Sequence, residues 1–265
     1  MASKKLTQTF ESYLKDIYFN KDLIDENEVL EKLHYFKQFN GLYHGTMPLF
    51  FVIDYTRQQY LVHAGTNNVL PGYQPEDFLD GGMDILKYVC NKDDFNIYNR
   101  EIFSHNCQVL KAVPQQEHGN YIFSHTYRVK ASRNAQELVL LQRGGYITSH
   151  QTGLPLYSLG MCMDITPLKT ETSILHTIEK GTGQKLFFQT IACNYFFPNQ
   201  EDTLLTSKEK QVLLYMTEGL ATKEIADKLK ISEATVICHR KNMMKKTNTK
   251  NGIELATYCI RKKII

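Results

Sequence analysis

The sequence predicts an α+β chain of two domains, a larger one built on an antiparallel sheet and a smaller, all-helical one at the carboxyl end. Three observations carry this expectation. Between residues 49 and 165, short apolar runs alternate with polar residues and are separated by turn-forming glycine, proline and asparagine. After Thr203 the apolar residues recur at helical spacing instead. At about the same point the charge changes sign. Residues 205 to 265 hold thirteen Lys or Arg against six Asp or Glu, whereas the preceding 204 hold eighteen against twenty-two. The overall charge of +3 thus divides into +7 and −4, the pattern of a polyanion-binding module beside an ordinary acidic domain.

Taken in order, residues 6 to 39 read as helical, with one apolar patch at Leu14, Ile17 and Tyr18 and another at Val29, Leu30, Leu33 and Phe36. A first segment is therefore bounded at 1 to 44. The run LFFVIDYTRQQYLVHA, 49 to 64, reads as two short strands joined by a polar turn at Thr56 to Gln59. A turn-rich stretch follows, punctuated by Gly72, Pro75 and Gly81-Gly82. Three further strands are expected over Ile122 to Lys130, Glu137 to Tyr146 and Leu156 to Ile165. In the first of these, Tyr127 and Val129 alternate with Arg128 and Lys130, as in a half-buried antiparallel strand. Pro167 should end sheet pairing and close a domain of residues 45 to 167. Residues 168 to 203 then read as a hairpin and a linker, with HTIEK and KLFFQTIACNYFF around Gly181-Thr182-Gly183.

The final domain, 204 to 265, divides into four helices. Thr206 or Ser207 caps the first through about Met216, and Gly219 breaks it. Thr222 is expected to cap the second, which turns Ile225, Ala226 and Leu229 inward. Ser232 caps the third, running to about Lys246, and the fourth spans Ile253 to Arg261. Helices this short are unstable alone and must share one core. In the third, Val236, His239, Met243 and Thr247 fall on one side, the expected core face. Ala234, Ile237, Lys241 and Lys245 fall on the other, with Cys238 beside them. Lys245 and Lys246 read equally well as solvated charge.

Composition narrows the function classes. No apolar run approaches the about 18 residues a membrane span requires, and Met1 to Thr9 lacks the apolar stretch of a signal peptide, so a cytoplasmic protein with no membrane partner is expected. The six cysteines, at 90, 107, 162, 193, 238 and 259, show no CxxC spacing. They suggest neither a disulfide framework nor a structural metal site. Asp54, Asp93-Asp94 and Asp164 have no metal-ligand spacing, and the Ser104-His105 and Ser124-His125 pairs would point to opposite faces of an extended strand. No enzyme and no catalytic residue is expected.

The stretch from Leu204 to Lys263 resembles the LuxR/GerE helix-turn-helix family along nearly its full length. The matching residues are Leu205-Thr206, Glu209, Gly219, Lys223-Glu224-Ile225-Ala226, Leu229, Ile231-Ser232, Thr235-Val236, His239-Arg240 and Glu254-Leu255. The resemblance makes the third helix the recognition helix, read in the major groove of double-stranded DNA. It implies base contacts from Ile237, Cys238 and Lys241, and phosphate contacts from Thr222, Lys223, Thr235, Arg240 and Lys250. It makes the fourth helix, through Leu255, Tyr258 and Cys259, a dimerising element, and implies a homodimer with RNA polymerase as a further partner. Members of the family often carry lysine where Ile237 stands, so the operator should differ from theirs.

Residues 45 to 167 resemble a PAS domain, a sensory fold with a curved antiparallel sheet flanked by short helices. The resemblance is carried by LFFVIDY, YLVHAG, Gly72-Tyr73, Glu76-Asp77-Phe78, YRVK, ELVLLQRGGYI and GLPLYSLGMCMDIT. Gly65 stands near the place of the asparagine common after the second strand. The resemblance implies sensing or protein contact, with no bound cofactor and room for a small-molecule ligand of unspecified identity. His63, His105, His118 and His125 read as structural or exposed rather than as haem ligands, and Cys90 and Cys107 lack the surroundings of a flavin-reactive cysteine. The acidic pair of a phosphorelay receiver is missing, and the absence of tryptophan argues against an acyl-homoserine-lactone sensor. Two readings follow: a sequence-specific transcription regulator with a sensory input domain, or a signalling adaptor whose carboxyl-terminal module mainly binds a protein.

Overall fold

The computed structural model describes residues 8–18, 48–64, 69–70, 72–130, 137–169, 173–182, 187–198, 204–261 and 264. The expected apolar patch at Val29, Leu30, Leu33 and Phe36 lies outside them. The chain divides into two compact units. The first comprises residues 1–169 and 175–194, the second 195–265 with the short 170–174 segment. An amino-terminal antiparallel sheet unit is thus followed by an all-helical bundle.

The first unit opens with α1 (Phe10–Ile17), capped by the Thr9 hydroxyl, which accepts from the Ser12 amide at 3.2 Å. Strands β1 (Leu49–Asp54) and β2 (Gln59–Ala64) form the opening hairpin. Asp54 is fully buried, and its Oδ1 accepts from the Thr56 amide (2.8 Å), the Thr56 hydroxyl (2.7 Å) and the Arg57 amide (3.2 Å). That carboxylate shapes the turn.

A run of short helices follows: α2 (Pro75–Gly81), a 3-10 turn (Gly82–Ile85), α3 (Leu86–Val89), α4 (Lys92–Ile97), a π turn (Tyr98–Ile102) and α5 (Phe103–Lys111). A second 3-10 turn, Gln115–Asn120, leads into β3 (Tyr121–Lys130), β4 (Glu137–Thr148) and β5 (Pro155–Asp164). These last three lie within two residues of the strands expected from alternation.

The hairpin expected after Ile165 forms as β6 (Ile174–Gly181) and β7 (Phe188–Phe196), and it extends the same sheet. Strand β6 pairs antiparallel with β3, so the seven strands run β2-β1-β5-β4-β3-β6-β7. Pairing of β5 stops at Asp164, just ahead of Pro167.

Strands β4 and β5 approach unusually closely. Gly144 faces Gly160 across the pair, and a Cβ on Gly144 would stand 2.2 Å from the Leu159 carbonyl oxygen. Only glycine fits at that crossing.

The helices cover one face of the sheet. Phe10, Tyr13, Tyr55 and Phe103 form an aromatic cluster of edge-on and tilted rings there. Two polar clamps hold the layer down. Asn99 accepts from the Glu11 amide at 2.9 Å and donates to the Glu11 carboxylate at 3.1 Å, pinning α1 to the π turn. Arg128 on β3 reaches Asp94 on α4 with Nη2 at 2.6 Å from Oδ1 and Nε at 3.1 Å from Oδ2, and its own amide donates to the same carboxylate at 2.7 Å.

The second unit is built from α6 (Ser207–Thr217), α7 (Thr222–Leu229), α8 (Glu233–Thr247) and α9 (Gly252–Arg261). Leu205, Val212, Leu213, Ile225, Val236, Met243, Leu255 and Cys259 are all fully buried in one core. Among the described residues, no helix is long and apolar enough to cross a membrane.

Candidate nucleic-acid interface

The second unit starts from a reciprocal cap. The Thr206 hydroxyl accepts from the Glu209 amide at 3.3 Å, while the Glu209 carboxylate accepts from the Thr206 amide at 2.8 Å. That carboxylate is 3% exposed and also takes the Lys246 ammonium at 2.7 Å, tying the end of α8 to the start of α6. Burial alone would raise the Glu209 carboxyl, but Lys246 and Thr206 hold it below the usual carboxylate range. Lys246 is therefore a structural tether, whereas its neighbour Lys245 is exposed and solvated.

One expected cap is corrected. Thr222 is the first helical residue of α7, and Ala221 stands at the cap position with its amide satisfied by Glu224 Oε2 at 2.7 Å. The Thr222 hydroxyl accepts instead from Arg240 Nη1 at 3.2 Å. Two residues expected to touch phosphate are thus brought together, and they join the first turn of α7 to α8.

The turn between the two helices is short because Lys230 adopts a left-handed conformation (φ 54°) and the Ile231 amide donates back to the Ala226 carbonyl at 3.0 Å. The Ser232 hydroxyl then caps α8, accepting from the Thr235 amide at 3.1 Å. Ser232 and Thr235 also share a hydroxyl contact at 2.8 Å.

Helix α8 divides into two sides. Val236, Met243 and Thr247 are buried, with the Thr247 hydroxyl donating to the Met243 carbonyl at 2.8 Å. His239 is half-buried beside them. On the opposite side Ala234, Ile237, Cys238, Lys241 and Lys245 are all exposed, Ile237 by 44%. The three candidate base-contacting residues therefore share one solvent-facing stripe. Lys223 at the start of α7 and Lys250 after α8 are also exposed, and the Lys250 amide is held by Glu254 Oε2 at 2.8 Å.

The candidate dimerising residues of α9 face inward in the single chain. Leu255 and Cys259 are fully buried in the unit's own core, and Tyr258 packs partly buried against it. Their i, i+4 and i+3 spacing marks the inward stripe of α9. The outward residues are Ile253, 82% exposed, Ile260, 57% exposed, and Thr257.

Sequence reasoning also missed Lys210 and Gln211. Both are buried, with Lys210 Nζ 5.9 Å from the centre of the Phe197 ring and Gln211 Nε2 donating to the Tyr195 carbonyl at 2.7 Å. Burial lowers the Lys210 ammonium pKa. The only readable signal was their polarity on the first turns of a helix, which is ordinary for exposed positions.

Comparison with known proteins agrees with this geometry. Residues 203–259 match the family described as bacterial regulatory proteins, luxR family. Fimbriae Z protein of Escherichia coli K12 is 30% identical over 100 residues, covering 36% of this chain and 48% of that protein. Oxygen regulatory protein NreC of Staphylococcus carnosus is 31% identical over 97 residues, covering 37% and 41%. Transcriptional regulatory protein UhpA of Escherichia coli K12 is 46% identical over 52 residues, covering 20% and 26%. The chain thus spans about half or less of the curated relatives it matches.

Among solved structures, the Vibrio cholerae VqmA dimer without its target DNA aligns over 86% of both chains at 13% identity and a TM-score of 0.36. A phage VqmA-DPO complex aligns over 90% of this chain and 88% of that one, at 16% identity and a TM-score of 0.35. The likeness throughout is to regulatory proteins rather than enzymes. Residues 203–259, and with them the α6 to α9 bundle, carry the helix-turn-helix region of the luxR-type bacterial regulatory proteins.

Proposed function

We propose that this chain is a sequence-specific regulator of transcription that binds double-stranded DNA through its second unit and takes its input through a PAS-like first unit. The observation that carries the reading is the exposed stripe of α8. Ile237, Cys238 and Lys241 are exposed on a helix whose other side is locked into a core and whose start is braced by α7. A helix presented in this way fits the major groove. Lys241 donates to guanine there, and Ile237 offers an apolar contact such as a thymine methyl prefers. Lys223, Thr235 and Lys250 flank the stripe and suit phosphate. Arg240 and Thr222 bind each other at 3.2 Å, so their contribution is first to hold α7 against α8.

The protein acts as a homodimer in the cytoplasm, with RNA polymerase as the machinery it meets at a promoter. Ile253, Thr257 and Ile260 on the outward side of α9 support self-association better than the buried Leu255 and Cys259.

Segment 170 to 204 is the route by which a signal shifts the balance between binding-competent and incompetent arrangements. Strand β7 supports this, because it runs from one unit into the other. Asn194 Nδ2 lies 3.4 Å from His176 Nδ1 in the first unit, and the next residue, Tyr195, gives its carbonyl to Gln211 in the second.

Two substitutions test the reading. Lys241→Ala is expected to cost about 1–3 kcal/mol on a selected site and to relax base preference at one position of each half-site. Lys223→Ala is expected to weaken binding evenly across sequences and to flatten its salt dependence. Base preference unchanged at every position in Lys241→Ala would overturn this assignment of Lys241. The exposed Ile237 gives the adaptor reading its one specific support, and a protein contact there would leave only salt-dependent, sequence-indifferent binding to DNA.

A further inference from the structure

We propose that the cavity between the sheet and the short helices of the first unit is a binding site for a small, uncharged ring compound that hydrogen-bonds along one edge to His125 and Gln142. This deepens the sensory reading above and rests on it only for the consequence of binding.

The cavity measures about 70 Å³, and its walls include Phe51, Tyr55, Met83, Phe95, Tyr98 and Tyr127. Flat aromatic walls favour a flat apolar occupant. An apolar cavity of about 150 Å³ admits benzene, so this one takes no more than a single ring. Even that requires part of the wall to yield. The wall opposite the sheet includes Phe78 of α2, Met83 of the following 3-10 turn and Leu86 of α3, elements of only four to seven residues. Such short elements are where local opening costs least.

Two polar side chains on this wall have few or no hydrogen-bond partners. His125 of β3 and Gln142 of β4 are directly opposite each other in the sheet, and both line the cavity. Among the described residues, neither ring nitrogen of His125 has a hydrogen bond, and the ring is held only by stacking between Tyr98 and Tyr127 at 5.0 and 5.3 Å. Gln142 Nε2 likewise has none, and Oε1 has only the Cys162 thiol at 4.0 Å.

Other buried histidines of this unit behave differently. His118 bonds to Thr148 and to the Leu110 carbonyl, each at 2.8 Å, and His176 bonds to Asn106 at 2.9 Å. Buried polar groups are nearly always satisfied, so the buried, unbonded His125 beside a half-buried Gln142 with only a thiol contact marks where an occupant's polar atoms belong. Directly opposed residues stand about 5 Å apart, a span that one ring edge bearing a donor and an acceptor can meet.

The walls also exclude charge. Burial lowers His125 to about 4, leaving a neutral imidazole with one donor and one acceptor. Burial raises the Cys90 and Cys162 thiols to about 12 and the Tyr60, Tyr98 and Tyr127 hydroxyls well above their ordinary value. The one carboxylate of the lining, Asp94, is taken by Arg128. No group is left to compensate an ionised ligand.

The test is thermal unfolding of the full chain with benzamide, with benzoate (the same ring carrying a charge) and with toluene. Benzamide at ten times its dissociation constant is expected to raise the melting temperature of the first unit by about 3 °C, and benzoate to leave it unchanged. In Gln142→Met the benzamide shift is expected to vanish while that of toluene persists. His125→Phe should behave alike, and Gln142→Met carries the test if His125→Phe does not fold. No shift with benzamide, an equal shift with benzoate, or a benzamide shift that survives Gln142→Met would each overturn the proposal. The assay contains no DNA, so failure here and failure of the DNA-binding reading are separate results.

Discussion

Lowering the pH from 7.5 to 5 is expected to cost the first unit on the order of 4 kcal/mol of stability, about 2 kcal/mol for each of two buried histidines. Burial lowers His125 to about 4. Burial, with the nearby His125 and His105, lowers His176 to about 3. Both groups stay neutral in the folded unit while the unfolded chain takes up protons below its ordinary histidine pKa of about 6.5. The unfolded state therefore binds more protons in that window, and stability falls as pH drops from 6.5 towards 4. Below the folded values the two states bind protons alike and the loss levels off. Urea unfolding of the full chain at pH 7.5, 6 and 5 measures the slope. Removing one titrating group with His176→Gln should roughly halve the slope, whatever that variant costs in absolute stability. An unchanged slope would place the acid sensitivity elsewhere.

Arg128→Met is expected to destabilise the first unit by about 3–5 kcal/mol, because it strands a carboxylate with no counter-charge. Asp94 is 1% exposed by side chain and takes two guanidinium nitrogens and the Arg128 amide. The same corner holds α4 to the sheet through the Asn91 amide on the Arg128 carbonyl at 2.9 Å and Asn91 Nδ2 on Glu137 at 2.8 Å. Methionine keeps the stem and removes the charge, so the penalty reports the unpaired Asp94. Adding Asp94→Asn should recover a substantial part of it. A single-variant cost below about 1 kcal/mol would mean that the backbone contacts alone hold α4 in place.

Much of this architecture is legible in the chain, for identifiable reasons. The Tyr127 and Val129 alternation marked only the end of β3, where Val129 is buried and Lys130 exposed; further back Ser124 and Thr126 are buried on the opposite face as well. The third helix of the bundle was readable because Val236, Met243 and Thr247 sit at helical spacing and leave one lysine-bearing, exposed side. The partner of the hairpin β6–β7 was not readable. Alternation marks a strand but not its neighbour, and pairing with β3 is a tertiary choice.

The helices between Gly82 and Lys111 are mostly four to nine residues long and leave too few turns for a helical period to show. At α9 the apolar stripe was legible but its destination was not, since Leu255 and Cys259, buried in the unit's own core, would look the same facing a core or a partner. The cap at Ala221 was hidden because its amide is satisfied by Glu224 from three residues on. His125 and Gln142 gave no sign of belonging together, since only the register of β3 against β4 makes them neighbours.

The central claim is that the α8 stripe reads base sequence for a dimer. The measurement that tests it most directly is selection of the full chain on a randomised duplex library at about 0.1 M salt, followed by sequencing. The expected result is enrichment of a two-fold symmetric site whose half-sites lie about one helical turn apart. Recovery of duplexes with no sequence in common, bound only through a salt-sensitive contact, would contradict it.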